Sequence, residues 1–235
     1  PLRTTPVYDK MRKAGAQMGS SFGLEVPLWF APQGVKDEFS WRRSTDFEHV
    51  AAEVKAVREG VGLMEISGFA KYSVKGSGAS EWLDKMLACR IPKPGRMTLA
   101  PMLNENGKLI GDFTLANINS KKYAPDEEFF IAGSGIAEEY HLRWFETHLP
   151  ESGNVKITPH GSGLSIAGPK SRELLAKITD EDVSPENFRF MDIRKMDIGM
   201  VSCLVGRVSY TGDLGYELWM TPDYQSYVME LLQKE

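Results

Sequence analysis

The most constraining feature of this sequence is a pair of apolar segments, 97–103 and 109–118, joined by a short polar loop. The loop reads Asn104-Glu105-Asn106-Gly107, and Asn and Gly favour the backbone conformations of a hairpin turn. Two strands joined this closely pair antiparallel, because a parallel pair needs a crossover connection of a dozen or more residues. The chain is therefore predicted to contain antiparallel pairing, which argues against a purely parallel sheet.

The rest of the chain intersperses further helices and strands. The clearest helix is predicted to start at Thr45, which forms a capping box with Glu48, and to end at Gly60. Its apolar residues fall on one face. Other strands are predicted at 69–75, 129–131, 164–167, 201–210 and 216–220, and other helices at 79–87, 136–149, 170–178 and 224–232. This mixture is typical of the α+β class.

Residues 1–44 differ from the rest because they are poorly periodic and rich in Gly, Pro, Trp and Phe. Such a stretch cannot easily build its own core, so we expect a packed arm or linker that lies on something larger. The chain begins without Met, and its last predicted helix continues to Glu235 without a Gly, Asn or Pro stop. We therefore expect it to be a piece of a larger protein.

The composition gives no support for a nucleic-acid or membrane partner. The 235 residues are 42% apolar and 26% charged, and the formal net charge is −4, an ordinary balance for a soluble globular chain. No apolar run approaches the ~20 residues of a membrane-spanning helix. Cys89 and Cys203 are too few for a disulfide framework, so we expect reduced, packed thiols, which fits the cytosol or the mitochondrial matrix.

Several familiar catalytic patterns are absent from the sequence. It contains no GxGxxG dinucleotide fingerprint, no GxxxxGK[ST] phosphate loop and no GxSxG nucleophile motif. The four His residues form no HxxxH pair, so we expect them at the surface or at helix ends rather than in a metal site. No metal ligand is predicted.

Asp112 is the first candidate functional residue. It stands in the predicted strand 109–118 among apolar or small neighbours, where Asp is disfavoured. If it is buried, its carboxylate needs a partner or a chemical role, because an unpaired buried charge costs several kcal/mol. The alternative is a solvent-facing Asp on the polar side of a half-buried strand.

Two further candidates flank the turn Thr211-Gly212-Asp213-Leu214-Gly215. Tyr210 and Glu217 are predicted to face each other across this hairpin, and Glu217 lies between the apolar side chains of Tyr216 and Leu218. A phenol and a carboxylate beside an apolar wall suit a flat heterocycle with several N–H donors. The alternative is an ordinary hairpin with a cross-strand polar pair. The small-residue turn before Phe69 could bring a ligand ring close to the backbone, or could be a packed strand entry.

These motifs together resemble the T-protein (aminomethyltransferase) family of the glycine cleavage system. The resemblance is stronger to the folate-binding part of dimethylglycine and sarcosine dehydrogenases, because residues 1–44 are similar to the region that joins the flavin-binding and folate-binding halves of those enzymes. The matching segments are 5–9 with 22–30, 65–71, 107–112, 167–172 and the YTGxxGxE run 210–217.

The resemblance implies a fold and a domain organisation. T-proteins place a split first domain around an inserted α+β second domain, followed by a C-terminal β-barrel domain. On this chain the split domain would be residues 45–71 plus 158–235, and the insert would be residues 72–157. Residues 1–44 would be a connecting arm from a preceding flavoenzyme region, and the β-barrel domain would lie outside the chain.

The resemblance also implies the roles of individual residues. Asp112 matches the family's catalytic aspartate, while Tyr210 and Glu217 match pterin-binding positions and Phe69 aligns with a further position that lines the ligand. The family often has Tyr some thirteen residues before its aspartate, where this sequence has Leu99, so a stacking or hydrogen-bonding group is missing there.

The function implied is tetrahydrofolate-dependent one-carbon transfer. The carbon from oxidised dimethylglycine or sarcosine would be captured to give 5,10-methylenetetrahydrofolate, with tetrahydrofolate as cofactor and FAD expected only in an N-terminal domain outside this chain. The partners would be folate and the amine-derived carbon unit. One alternative stays within this fold: a folate-dependent demethylase. A second comes from another class: a folate-binding regulatory or repair module without transfer chemistry. A third is a structural domain whose folate site has decayed, which Leu99 favours.

Overall fold

A computed structural model of the chain describes residues 3–119 and 127–235. The helices are α1 (Tyr8–Lys13), α2 (Phe47–Glu59), α3 (Ala79–Met86), α4 (Glu138–Thr147, after a 3-10 turn at Gly135–Ala137), α5 (Ser171–Lys177) and α6 (Pro222–Lys234). The strands are β1 (Ala16–Ser21), β2 (Leu24–Phe30), β3 (Gly62–Glu65), β4 (Ala70–Gly76), β5 (Arg96–Leu103), β6 (Leu109–Asn117), β7 (Glu127–Gly133), β8 (Lys156–Pro159), β9 (Ser162–Ala167), β10 (Ile193–Ile198), β11 (Val201–Gly206) and β12 (Gly215–Met220).

Two five-stranded antiparallel sheets dominate the structure. Sheet I has the strand order β10-β11-β12-β9-β3, and sheet II has the order β5-β6-β7-β4-β8. A separate hairpin consists of β1 and β2. The strands of sheet II come from residues 70–159, whereas those of sheet I come from residues on either side of that stretch. The predicted α+β class is confirmed, and the predicted domain boundaries stay a prediction.

Each sheet has an outer face that packs on helices. Beneath sheet I, Tyr216 and Leu218 share a core with Val228 of α6. Beneath sheet II, Phe113 packs with Phe145 of α4. These side chains are 3% exposed or less, so the strands alternate as expected for a sheet with one face in a helix-covered core.

The inner faces of the two sheets meet in a small third core. Sheet II contributes Met97, Ala116 and Phe130, and sheet I contributes Leu204 and Trp219. The ring centroids of Phe130 and Trp219 are 4.7 Å apart, which is a normal distance for a stabilising aromatic pair. This apolar contact holds sheets I and II face to face.

The structure corrects the predicted start of the first long helix. Helix α2 begins at Phe47, and no side chain caps its first turn. The hydroxyl of Thr45 instead donates to Asp37 (3.1 Å) and accepts from the backbone N–H of Glu38 (3.2 Å), so the predicted capping box is wrong. The apolar face of α2 is also only partly covered, because none of its residues is buried.

Residues 3–44 are more ordered than their composition indicated. They form α1 and the β1–β2 hairpin, and Val7, Met11 and Ala16 enter the core beneath sheet I. The expected packing of an arm on a larger body is found, but its helix and hairpin were not predicted. Within the described ranges, nothing corresponds to the C-terminal β-barrel domain of the family resembled. None of the helices in these ranges has the length and apolar character needed to cross a bilayer.

Candidate functional site

Glu217 lies at the centre of sheet I, where it pairs with Gly206 of β11 and Ser165 of β9. Its neighbours Tyr216 and Leu218 point into the helix-covered core, so the Glu217 side chain faces sheet II. It is partly buried, and among the described residues none donates a hydrogen bond to its carboxylate. Burial raises the pKa of Glu217 to about 7, and the nearby charge of Lys71 opposes that rise.

Lys71, on β4 of sheet II, is the cation that acts on Glu217. Its residue is 1% exposed, and its ammonium group donates to the carbonyl oxygens of Ile66 (3.1 Å), Ser67 (3.2 Å) and Phe69 (2.5 Å). Burial lowers the pKa of Lys71 to about 8, and the carboxylates of Glu65, Glu138 and Glu217 oppose the decrease. Sequence reasoning gave Lys71 no role, although a lysine between Ala70 and Tyr72 in a core strand is a signal.

The Phe69 segment, Ile66–Phe69, connects sheet I to sheet II and receives support from several sides. Glu65 accepts a hydrogen bond from the backbone N–H of Ser67 (2.7 Å). The buried amide of Gln225, on α6, lies within hydrogen-bonding distance of Glu65 (2.9 Å) and the Ser67 hydroxyl (3.0 Å). A Cβ at Gly135 would collide with the backbone of this segment, so glycine permits the close approach.

The structure brings Phe69 and Tyr210 together. Their ring centroids are 6.3 Å apart, and the side chains are 43% and 85% exposed respectively. The Ser209 hydroxyl donates to the carbonyl oxygen of Asp213 (2.6 Å) within the loop that carries Tyr210. Because β11 ends at Gly206 rather than at Tyr210, the prediction that Tyr210 faces Glu217 across a hairpin is wrong.

Asp112 lies on β6, opposite Pro101 of β5. Its neighbour Phe113 is in the helix-covered core, so Asp112 belongs to the inner face, two residues from Thr114. Thr114 pairs with Ala132, and Ala132 pairs with Lys71, which places Asp112 on the same wall as Lys71. Asp112 is exposed and has no hydrogen-bond or ion-pair partner within the described part of the chain, so the solvent-facing alternative describes its position.

Leu99 shares the inner face with Asp112. It pairs with Thr114 across β5 and β6, and its side chain is 74% exposed. An apolar side chain therefore lies open beside the carboxylate of Asp112, at the position where the family resembled often has Tyr.

A cavity of about 570 Å³ lies beside the Phe69 segment. Phe69 and Ser67 line it, together with Glu138, His160 and residues of the N-terminal arm such as Thr5. Phe69 therefore lines this cavity and also lies near the ring of Tyr210.

Comparison with known proteins identifies the family. The family described as GCVT N-terminal domain matches residues 7–235. The chain belongs to this family. The predicted relationship to the aminomethyltransferases and to dimethylglycine dehydrogenase is thereby confirmed at the level of the family.

The chain is similar to parts of two longer mitochondrial proteins. The chain is 34% identical to the mitochondrial dimethylglycine dehydrogenase of Mus musculus over 223 residues, which cover 92% of the chain and 25% of that enzyme. It is 25% identical to the mitochondrial pyruvate dehydrogenase phosphatase regulatory subunit of Mus musculus, over 97% of the chain and 26% of that protein. The chain thus spans about a quarter of the length of these relatives.

The solved structure of the glycine cleavage system aminomethyltransferase T from Bartonella henselae superimposes with a TM-score of 0.82. The match covers 100% of the chain and 58% of that structure at 20% sequence identity. The T-protein-like fold predicted from the motifs is confirmed by this agreement.

Proposed function

We propose that this GCVT N-terminal domain binds tetrahydrofolate between sheets I and II and directs the one-carbon unit of oxidised dimethylglycine or sarcosine onto it. The observation that carries the proposal is Glu217, a partly buried carboxyl group on the inner face that receives no hydrogen bond from the described residues. Such a group is costly unless a ligand supplies the missing donors. The N–H groups along the edge of a reduced pterin are donors of this kind.

The other inner-face residues fit the same ligand. Phe69 and Tyr210 present exposed rings 6.3 Å apart, which can pack against a flat heterocycle. Exposed Leu99 adds an apolar surface on the opposite wall. Bound tetrahydrofolate would supply the nitrogen nucleophile that accepts the carbon.

Asp112 is the proposed catalytic residue. Its exposed carboxylate has no competing partner among the described residues, so it is available to hydrogen-bond to ligand N–H groups and to stabilise positive charge on the reacting nitrogen. Oxidation of the amine belongs to flavin chemistry that we assign to a region outside this chain. Capture of the iminium carbon by folate near Asp112 would compete with water, which otherwise releases that carbon as formaldehyde.

The test is Asp112→Asn in the full-length protein, with Asp197→Asn as the matched control because Asp197 is also an exposed strand aspartate. Methylenetetrahydrofolate and formaldehyde are quantified with dimethylglycine and then sarcosine as substrate. We expect Asp112→Asn to reduce methylenetetrahydrofolate by at least tenfold and to release formaldehyde instead. Unchanged product formation in Asp112→Asn would show that the assigned role is wrong.

A second candidate function is a folate-binding regulatory domain without transfer chemistry. The similarity to a phosphatase regulatory subunit over nearly the whole chain favours it. The same assay separates the two functions, because a regulatory domain binds reduced folate but yields no methylenetetrahydrofolate even in the wild-type protein.

A further inference from the structure

Lys71 carries a buried positive charge that has no carboxylate within ion-pair distance among the described residues. Its ammonium group instead satisfies three carbonyl oxygens of one turn, those of Ile66, Ser67 and Phe69. An ammonium group has three donors, so this single side chain fixes the backbone of the whole Phe69 segment. Burial of an ammonium group is expensive, which makes Lys71 an unusual choice for a purely structural tie.

The surroundings of Lys71 explain what its charge does. Glu65 at the end of β3, Glu138 at the start of α4 and Glu217 on β12 all interact with it electrostatically. His160 also lies close, because its backbone N–H donates to the carbonyl oxygen of Lys71 (2.7 Å). Burial raises the pKa of Glu217 to about 7, and Lys71 is the charge that opposes this rise.

We propose that Lys71 is a positioning residue of the ligand site, which both fixes Phe69 against the ligand and keeps Glu217 ionised as a hydrogen-bond acceptor. This inference rests on the proposed function, since it assigns Lys71 a part in folate binding. Lys71 acts through Phe69 and Glu217 and is not itself required to touch the ligand.

The inference predicts a particular pH dependence. A carboxylate only accepts hydrogen bonds, whereas a protonated carboxyl group also donates one and therefore conflicts with an N–H donor of the pterin. Folate affinity should therefore rise with pH as Glu217 loses its proton near pH 7, which is below the pKa of about 8 at which Lys71 loses its charge. Removing the charge of Lys71 makes ionisation of Glu217 harder, so the midpoint of that rise should move to higher pH.

The experiment measures the Kd of 5-formyltetrahydrofolate, a stable reduced folate, by equilibrium dialysis against the full-length protein from pH 5.5 to 9. Lys71→Met is compared with Lys75→Met, which removes an exposed lysine from the same strand. We expect Lys71→Met to raise the midpoint by about one pH unit, which corresponds to about fivefold weaker binding at pH 7. Lys75→Met should keep the wild-type midpoint.

Two further variants separate the parts of the inference. Phe69→Ala should weaken binding equally at every pH, and Glu217→Gln should abolish the pH dependence. If Lys71→Met weakens binding equally at every pH with an unmoved midpoint, its role is only to shape the Phe69 segment and the inference is overturned. If Glu217→Gln leaves both the affinity and its pH dependence unchanged, the folate site itself is wrongly assigned and the proposed function fails first.

Lys71→Arg decides the question if Lys71→Met does not fold. A guanidinium group keeps the charge but cannot point one compact group at three carbonyl oxygens. We expect Lys71→Arg to bind folate more weakly at every pH and to keep the wild-type midpoint. A midpoint raised as much as that expected for Lys71→Met would contradict the inference.

Discussion

The two walls of the proposed site carry one candidate carboxyl group each, and the two groups differ sharply. Both carboxyl groups lie on inner faces and have a buried aromatic neighbour in the chain. Glu217 on sheet I directly follows Tyr216, and Asp112 on sheet II directly precedes Phe113. Glu217 is partly buried, and burial raises its pKa to about 7. Asp112 is exposed to solvent.

Distance from the apolar contact between the sheets explains the difference. On β12, Glu217 is two residues from Trp219, which is about 7 Å along the strand. On β6, Asp112 is four residues from Ala116, which is about 13 Å. The sheets cover each other near Trp219 and open toward Asp112, so one packing contact gives the site a partly buried carboxyl group at Glu217 and an exposed one at Asp112.

The largest expected effect concerns the contact between the sheets. Trp219→Ala should lower the free energy of unfolding by about 3–5 kcal/mol, because Trp219 is 2% exposed and packs on Phe130. Chemical denaturation of the full-length protein measures this. Trp41→Ala is the matched control, since Trp41 is 93% exposed and should cost less than about 0.5 kcal/mol. A cost below 1 kcal/mol for Trp219→Ala would contradict the packing of the two inner faces against each other.

Glu217→Gln is expected to change the free energy of unfolding by an intermediate amount, in the direction opposite to Trp219→Ala. Because the folded-state pKa of Glu217 is raised to about 7, its ionisation destabilises the folded protein as pH increases from the unfolded value toward 7. Glu217→Gln should therefore increase the free energy of unfolding by about 1–3 kcal/mol at pH 8, where Lys71 offsets part of the cost in the wild type. The increase should disappear near pH 4.

Denaturation at both pH values is again the measurement. Glu105→Gln serves as the control for Glu217→Gln, because Glu105 is exposed in the β5–β6 loop. The Glu105→Gln protein should have the same free energy of unfolding as the wild type at both pH values. A stability gain for Glu217→Gln that is equal at pH 4 and pH 8 would mean that charge is not the cause.

Local patterns in the sequence predicted much of sheet II and of its helices. The hairpin of β5 and β6 follows from Asn104–Gly107, and α3 and α4 were predicted at 79–87 and 136–149. Beneath sheet I, α6 follows from the spacing of its apolar residues. Strand β10 was not predicted, because its apolar residues, Ile193, Met196 and Ile198, do not alternate strictly with the charged ones. Its place at the edge of sheet I depends on tertiary pairing with β11.

The candidate site was predictable in its residue types but not in its contacts. Glu217 stood out because it interrupts an apolar strand, and the structure places it where an unpaired carboxyl group is costly. Lys71 was missed because its role depends on the carbonyl oxygens of a turn and on a carboxyl group 146 positions away in the numbering. The sequence predicted Tyr210 opposite Glu217, because the apolar alternation of 201–210 does not show where β11 ends. Local side-chain hydrogen bonds, such as that of Ser209, end this strand early.

The smallest expected effect on stability is at Asp112. Since its carboxylate is exposed and has no partner in the described ranges, Asp112→Asn should change the free energy of unfolding by less than about 0.5 kcal/mol at both pH 4 and pH 8. Together with the loss of methylenetetrahydrofolate formation proposed above, this would mark Asp112 as a residue retained for chemistry at no cost to folding. A destabilisation above 1 kcal/mol would instead show that Asp112 has a structural partner in the full-length protein. The difference between Asp112 and Glu217 would then reflect packing alone.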